Sequence, residues 1–460
     1  MNVGTLPLEM GHVISASIAE IRLGVVKYIK LLKNLKLFTA VLVGFLGFYI
    51  FEFYIQANNA NINFWCVQTL NNFNFGPIKN VSLPIHCDEG PYRIASNSIE
   101  EFFSPSNPYQ TRPLLVLILS FLRRFFESIS ILNISDYQIF RISIFIIQVV
   151  ILFSIISIFS NLMKLKFQSY SDYLIILVVI GIPGIRWNIL FPSAGNVTLI
   201  LFLLSIKFLS EKKTYSKNNK SIYLLFSFLS IAHLSSIIYG FILQLATIFK
   251  IKKIRIFKIV SNLFILILVP ILYRIFIFFS KYEFYDWHTS TYRQFSWLYI
   301  EYQKGYSSLL NATKSHLSAY WDETTNFIGY FSILCFYYLG LIAIAKFKKY
   351  PVPAKIRFAL FINLFIFIFW AFQGITESFR FTNYSIGYFL FISVLILLIE
   401  TFKKDQYLLF SIFAYVLSIG YLEPYNSSLN FHQWNVFSIL SLILFLIFTI
   451  RETVSFKGKV

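Results

Sequence analysis

Residues 138–160, from Gln138 to Ser160, read QIFRISIFIIQVVILFSIISIFS, and this stretch decides the fold. It holds one ionisable group, Arg141, and at about 1.5 Å per residue it reaches across the ~30 Å hydrocarbon layer of a bilayer. Backbone amides in hydrocarbon must satisfy one another, so a run of this length and composition is expected as a transmembrane α-helix.

The same signal recurs along the chain. Of 460 residues, 57% are hydrophobic, 20% aromatic and only 13% charged, which is too apolar for a water-soluble globule. Further spans are expected near 37–55, 172–190, 195–210, a pair of short helices within 221–249, then 257–280, 326–346, 357–373, 385–400, 407–421 and 435–450. The expected fold is therefore all-α, a polytopic bundle of about 12 spans forming one membrane domain over 37–450. A cytoplasmic leader over 1–36 and a tail over 451–460 flank it. Two longer outer loops fall at 56–137 and 281–325.

The formal net charge is +19, and its distribution sets the orientation. Lysines gather in short connections: Lys164 and Lys166, Lys212 to Lys220, Lys250 to Lys258, Lys346 to Arg357, Lys403 and Lys404, and Arg451 to Lys459. This is the positive-inside pattern, and it argues against nucleic acid as the partner of so basic a chain. No cleavable signal is read in the leader, where Val13, Ile14, Ile18, Ile21, Val25, Ile29 and Leu32 recur at helical spacing among cations. Either an amphipathic helix on the inner leaflet or a plain solvated leader accounts for it. The expected location is a bacterial inner membrane with both termini cytoplasmic.

Two segments needed arbitration. Pro113 to Leu122 is too short to cross and would invert the lysine pattern if it did, so it is expected as a juxtamembrane helix on the outer side. Ser221 to Phe249 is expected to cross twice, with Ala232-His233-Leu234 at the outer turn.

The outer face then receives most of the acids and a set of arginines, whose planar guanidinium grips phosphate in a way an ammonium does not. Its most informative stretch runs His86-Cys87-Asp88-Glu89-Gly90-Pro91-Tyr92-Arg93 and on to Asn107-Pro108-Tyr109-Gln110-Thr111-Arg112-Pro113-Leu114. Asp88 and Glu89 read either as a solvated acidic turn or as a general base with a neighbour that shapes the site or helps hold a divalent ion, with His86 nearby. No cofactor is otherwise implied, and no His/Cys metal cassette, Gly-rich phosphate loop or GxSxG elbow is present. Arg112 stands just outside a helix opened by Pro113, where free N–H groups also favour anions. It reads either as a phosphate contact or as a snorkelling side chain.

A late outer connection, Glu377-Ser378-Phe379-Arg380-Phe381-Thr382-Asn383-Tyr384, leads into a span, and Glu377 and Arg380 either pair with each other or face a substrate. Arg186 and His233 add polar groups at outer span ends. Glu52 and Arg274 lie within apolar runs. The second outer loop is dense in Tyr, Trp and Phe, suited to sugar rings and equally to an interfacial aromatic belt. Cys66 and Cys87 share the first outer loop, where an oxidising exterior would let them pair.

This order of features resembles the GT-C membrane glycosyltransferases, in the branch of protein O-mannosyltransferases and lipid A aminoarabinose transferases. The features that carry the likeness are Asp88, Glu89 and Tyr92, then Arg112-Pro113-Leu114 opening a short helix, many spans, and a late Arg380-Phe381-Thr382-Asn383-Tyr384. The resemblance implies a sugar transferred from a polyprenyl-phosphate donor to an acceptor hydroxyl of a glycan, lipid or protein. Asp88 would be the base with Glu89 second, and Tyr92, Arg93, Arg112, Arg186, His233, Glu377, Arg380 and Tyr384 would contact substrate. The sequence departs from the pattern in the roughly thirty residues between the first span and the acidic pair. An O-antigen or exopolysaccharide polymerase and a lipid or polysaccharide flippase are the alternatives, and a non-enzymatic scaffold is a further one.

Overall fold

The computed structural model describes residues 36–48, 67–75, 78–86, 89–104, 107, 110, 113–129, 135–182, 184–185, 195–211, 220–233, 235–250, 256–280, 282, 297–373, 386–419 and 435–457. In chain order these form α1 (Lys36–Phe48), a hairpin of β1 (Val67–Phe75) and β2 (Ile78–His86), α2 (Glu89–Ala95), α3 (Ile99–Phe102), α4 (Pro113–Ser128), α5 (Asp136–Met163) and α6 (Tyr170–Ile180). Then follow α7 (Gly195–Ser210), α8 (Lys220–Leu229), α9 (Ser235–Lys250), α10 (Ile256–Ser280), α11 (Tyr306–Tyr330) and α12 (Ser332–Phe347). The chain continues with α13 (Ala354–Gln373), α14 (Tyr388–Thr401), α15 (Gln406–Ser418) and α16 (Val436–Lys457).

Among the described residues, α5, α10 and α16 are long and apolar enough to cross a membrane, and eight further apolar helices are shorter. Several helix bounds fall near the expected ones, because caps and charges punctuate the apolar runs, whereas the segment expected at 172–190 ends as a helix at Ile180 and that expected at 326–346 is divided at Phe331 between α11 and α12. Ser135 and Gln138 form a capping box that opens α5, and Ser169 and Asp405 cap α6 and α15. Half of the apolar window of α5 is buried against 11% of that of α10, so α5 is a central helix and α10 a peripheral one. Pro270 lies inside α10, and near it the N–H of Val269 donates to Ser227 Oγ of α8 at 2.9 Å. Between α9 and α10, Asn262 Nδ2 donates to Gln244 Oε1 at 3.0 Å, a polar tie inside an apolar interface.

The core is a single cluster to which α4, α5, α7, α10, α12, α13, α14 and α16 all contribute, whereas the described side chains of α11 add none. α5 packs on α4, α6 and α7, α7 on α9 and α13, and α12 on α14 and α16, while α15 pairs extensively with α16. A buried hydroxyl knot joins α12, α15 and α16: Ser411 Oγ donates to Tyr337 Oη at 2.8 Å, and Ser441 Oγ donates to the Ser411 carbonyl at 2.7 Å. Close approach of α1, α6 and α15 depends on Gly181. A Cβ there would stand 2.2 Å from Val416 Cγ1 and 2.7 Å from Phe48 Cζ.

One end of the bundle is tied by ion pairs. Lys355 reaches both Glu400 and the Leu162 carbonyl, Lys404 pairs with Asp172, Arg451 with Asp405, and Lys348 with Glu452 at 2.6 Å. These contacts gather the C-terminal ends of α5, α12, α14 and α16 with the N-terminal ends of α6, α13 and α15. Four of the connections read as lysine-rich and inward therefore lie on one face. At the other end the Leu114 N–H donates to the Ile231 carbonyl at 3.1 Å, and Tyr273 Oη donates to the Gln110 carbonyl at 2.9 Å. The start of α4 is thereby joined to the α8–α9 reversal and to α10, and Phe103 stacks on Tyr282 with ring centroids 4.3 Å apart.

Two segments differ from expectation. The first outer loop contains, besides its helices, the antiparallel hairpin, with Val67 opposite His86 and Phe75 opposite Ile78. Within the expected second outer loop the described residues 297–325 are mostly helical: residues 297–303 and α11 are joined through Gly305, whose φ of +119° suits a residue without Cβ. Its aromatic density masked that helicity, because α11 is polar and weakly periodic. The leader over 1–35 lies outside the described residues.

Candidate functional site

The site is built on α4. Proline at its first position needs no N–H and presets the helical φ, so the helix begins at Pro113 as the sequence predicts. It runs on to Ser128, beyond the apolar run ending at Leu122, because Arg123 is accommodated on the buried face. Leu115, Leu119 and Arg123 recur four apart and line one side, while Leu117, Phe121 and Phe125 stay exposed on the other. A helix with two apolar faces suits a position between protein and lipid.

Arg123 is 3% exposed and organises the neighbourhood. One terminal nitrogen donates to the Arg93 carbonyl at 2.8 Å and to Ser96 Oγ at 2.7 Å, and the other pairs with Asp136 at the start of α5. Its guanidinium also lies 5.8 Å from the centre of the Phe140 ring. These partners meet both terminal nitrogens from the α2 segment and α5 together, while the buried Nε has no partner among the described residues. The sequence reading had Arg123 and Asp136 among the outer charges but not as partners. The signal was present in the four-residue spacing from Leu115 to Arg123.

Through Arg123 the α2 segment is held against α4 and α5. Glu89 is the first residue of α2, and Tyr92, on its second turn, is buried at 1% exposure. Arg93 is exposed and has its guanidinium 5.9 Å from the Tyr137 ring centre. In the short α3 that follows, Ser98 caps the helix by accepting the Glu101 N–H at 3.1 Å. The Glu100 carboxyl is held below its usual range, first by a backbone N–H and then by the Ser98 hydroxyl.

His233 stands at the other end of α4. It occupies the α8–α9 reversal, half-buried, with Nδ1 2.6 Å from Ser235 Oγ, two residues from the carbonyl that receives Leu114 N–H. Leu114 and Arg123 are nine residues apart, so Arg93 and His233 attach to α4 at points separated by about 13 Å. They border the same helix without touching the same group.

Asp88, Arg112, Arg186, Glu377, Arg380 and Tyr384 lie outside the described residues, as do Cys66 and Cys87. The backbones of His86 and Glu89 are described and their side chains are not. Of the residues singled out from sequence, the structure ties the Arg93 carbonyl to Arg123, buries Tyr92 on the same short helix, and seats His233 two residues from the carbonyl that receives the Leu114 N–H. Among the described residues no three His, Cys, Asp or Glu side chains gather as a metal site.

Chemically, this end of the bundle offers a helix start preceded in sequence by an arginine, an imidazole on the reversal that receives the Leu114 N–H, and a short helical segment braced by a buried arginine paired with a half-exposed aspartate. No protein-family model matches the sequence, and neither a curated protein nor a solved structure matches it.

Proposed function

We propose that this protein is a membrane glycosyltransferase of GT-C type, moving a sugar from a polyprenyl-phosphate donor to an acceptor hydroxyl at the outer membrane face. In this reading the chain crosses about twelve times with both termini on the lysine-rich side. Asp88 takes the proton of the acceptor hydroxyl, Glu89 assists, and Arg112 with Arg380 holds the donor phosphate. The hydroxyl oxygen forms a bond to the anomeric carbon, the carbon–oxygen bond to phosphate breaks, and the polyprenyl phosphate leaves with the electron pair. Arginine then stabilises charge that develops on a group already able to depart.

The observation that carries the reading is the bracing of α2 and α4 across the end of the bundle opposite the lysine ion pairs. Asp88 immediately precedes the first residue of α2, and Arg112 immediately precedes the first residue of α4. The two chemistries that the reaction needs thus adjoin the starts of two helices that one buried arginine fastens together.

The test is sugar transfer from a polyprenyl-phosphate donor in membranes carrying Asp88→Asn. Transfer is expected to vanish with insertion and abundance unchanged, and full activity would remove Asp88 as the base. Lipid-linked glycans from a deletion strain separate the classes: single-sugar carriers accumulate if a transferase is lost, unpolymerised repeats if a polymerase is lost.

A further inference from the structure

Four acids at the lysine-rich end are paired across helix ends. Asp172, Glu400, Asp405 and Glu452 are each engaged by a lysine or arginine of a neighbouring helix end. Interleaved with these partners are Lys164, Lys166, Lys346, Lys349, Arg357 and Lys403, all exposed and in no ion pair among the described residues. Lys349 adjoins Lys348, Lys403 adjoins Lys404, Arg357 is two residues from Lys355, and Lys164 is two from Leu162. The ion pairs therefore hold the unpaired cations on one rim.

Backbone geometry singles out three of them. Lys164, Lys349 and Lys403 have φ of 54°, 57° and 51°, the left-handed region in which helices commonly end on glycine. Each stands where a helix finishes. Leu165 N–H returns to the Ser160 carbonyl at 2.9 Å, Tyr350 N–H to the Ala345 carbonyl at 2.8 Å, and Lys404 N–H to the Leu398 carbonyl at 2.8 Å. Lysine in place of glycine at three helix ends on one rim puts cations where the backbone alone would favour none. Helix C-termini attract cations weakly, but so do lipid phosphates, and a long aliphatic stem lets the ammonium reach them from the rim.

We propose that this rim binds the phosphate groups of anionic phospholipids in the facing leaflet, with Lys164, Lys349 and Lys403 as its principal contacts. Charge complementarity carries the assignment: Asp172, Glu400, Asp405 and Glu452 are paired internally, so the six exposed cations interleaved with them are matched by negative surface charge outside the protein. The proposal rests on the chain being a membrane protein and is independent of sugar transfer.

The test reconstitutes the full chain in vesicles of phosphatidylcholine alone and of phosphatidylcholine mixed with phosphatidylglycerol, and follows heat unfolding by intrinsic fluorescence. The anionic mixture is expected to raise the unfolding midpoint by several degrees, with the gain shrinking as salt is added. The triple variant Lys164→Gly, Lys349→Gly and Lys403→Gly keeps a backbone that glycine adopts readily, and it is expected to lose most of that gain. Equal midpoints for the natural chain in both vesicles, or an undiminished gain in the triple variant, would overturn the proposal. So would reproduction of the gain by soluble glycerol phosphate over phosphatidylcholine vesicles. If the triple variant fails to insert, the three single glycine variants are compared instead, and three undiminished gains would count equally against it. Transfer activity does not enter the readout, so failure here and failure of the transferase reading remain distinct.

Discussion

Arg123 on α4 is paired with Asp136 at the first position of α5, and the same guanidinium holds the carbonyl of Arg93 on α2 and the hydroxyl of Ser96 just after it. Three segments that begin or end at one face of the bundle are fastened by one buried side chain. The two partners are unequally exposed, at 4% for Arg123 and 56% for Asp136. That asymmetry predicts which substitution does more harm. Asp136→Ala strands a buried charge, whereas Arg123→Met frees a carboxylate that water already reaches and leaves a carbonyl and a hydroxyl without their donor. Each is expected to cost about 1–3 kcal/mol, with Asp136→Ala the larger. The double variant should be no worse than Asp136→Ala alone. Thermal unfolding in one detergent checks the order, and an additive double variant would show that the pair is not coupled.

Gly181 gives a purely steric prediction. Its φ of −74° is ordinary for any residue, so alanine there introduces no backbone strain. The added methyl instead meets Val416 and Phe48 at distances no real Cβ tolerates, and overpacking of this kind costs about 1–3 kcal/mol. Gly181→Ala is expected to lower the unfolding midpoint, and Val416→Ala in the same chain is expected to restore part of it. An unchanged midpoint for Gly181→Ala would mean that α1, α6 and α15 approach less closely.

Such contacts lie beyond what sequence alone discloses, while the elements that make them do not. The apolar segments expected at 195–210 and 257–280 are the helices Gly195–Ser210 and Ile256–Ser280, and the pair of short helices expected within 221–249 is α8 and α9, reversing at Ala232-His233. Those bounds are legible because an apolar run ended by lysines has one physical solution in a bilayer. The α11 helix was not legible, since Tyr306 to Tyr330 is polar enough to read as an aromatic loop. The site was legible only in part. Pro113 set the start of α4 through its fixed φ, whereas the engagement of Arg123 depends on Arg93, Ser96 and Asp136 arriving from elsewhere in the chain.

The segment from Trp297 to α11 carries a pH-sensitive contact. His316 of α11 stacks on Trp297 with ring centroids 4.0 Å apart, and burial lowers its pKa from the ordinary 6.5. Because the neutral ring is the form favoured by folding, the histidine's contribution is complete above pH 6.5 and declines as pH falls through that value toward the lower folded pKa. Stacking of residues 297–303 on α11 is therefore expected to loosen on acidification. Histidine-selective NMR titration should find His316 protonating below 6.5, and His316→Phe should remove the acid sensitivity while keeping the stack. A titration at or above the ordinary value would contradict burial of the ring.

The hairpin of β1 and β2 bears on Cys66 and Cys87, which flank it in sequence. Val67 and His86 are register partners, and in sequence Cys66 directly precedes the one and Cys87 directly follows the other. A bond between them would close a loop of about twenty residues immediately before Asp88, worth about 3 kcal/mol in the chain-entropy account. Cys335 is a free, half-buried thiol within α12 and supplies an internal reference. Protein prepared from an oxidising compartment, denatured without reductant and treated with a maleimide, is expected to take up one label per chain. Prior reduction should raise that to three, the full cysteine complement. Reduction should also lower the unfolding midpoint of the natural chain but not that of Cys66→Ser/Cys87→Ser. Three labels without reductant would show that the cysteines remain unpaired, and the hairpin would then be held by its backbone ladder alone.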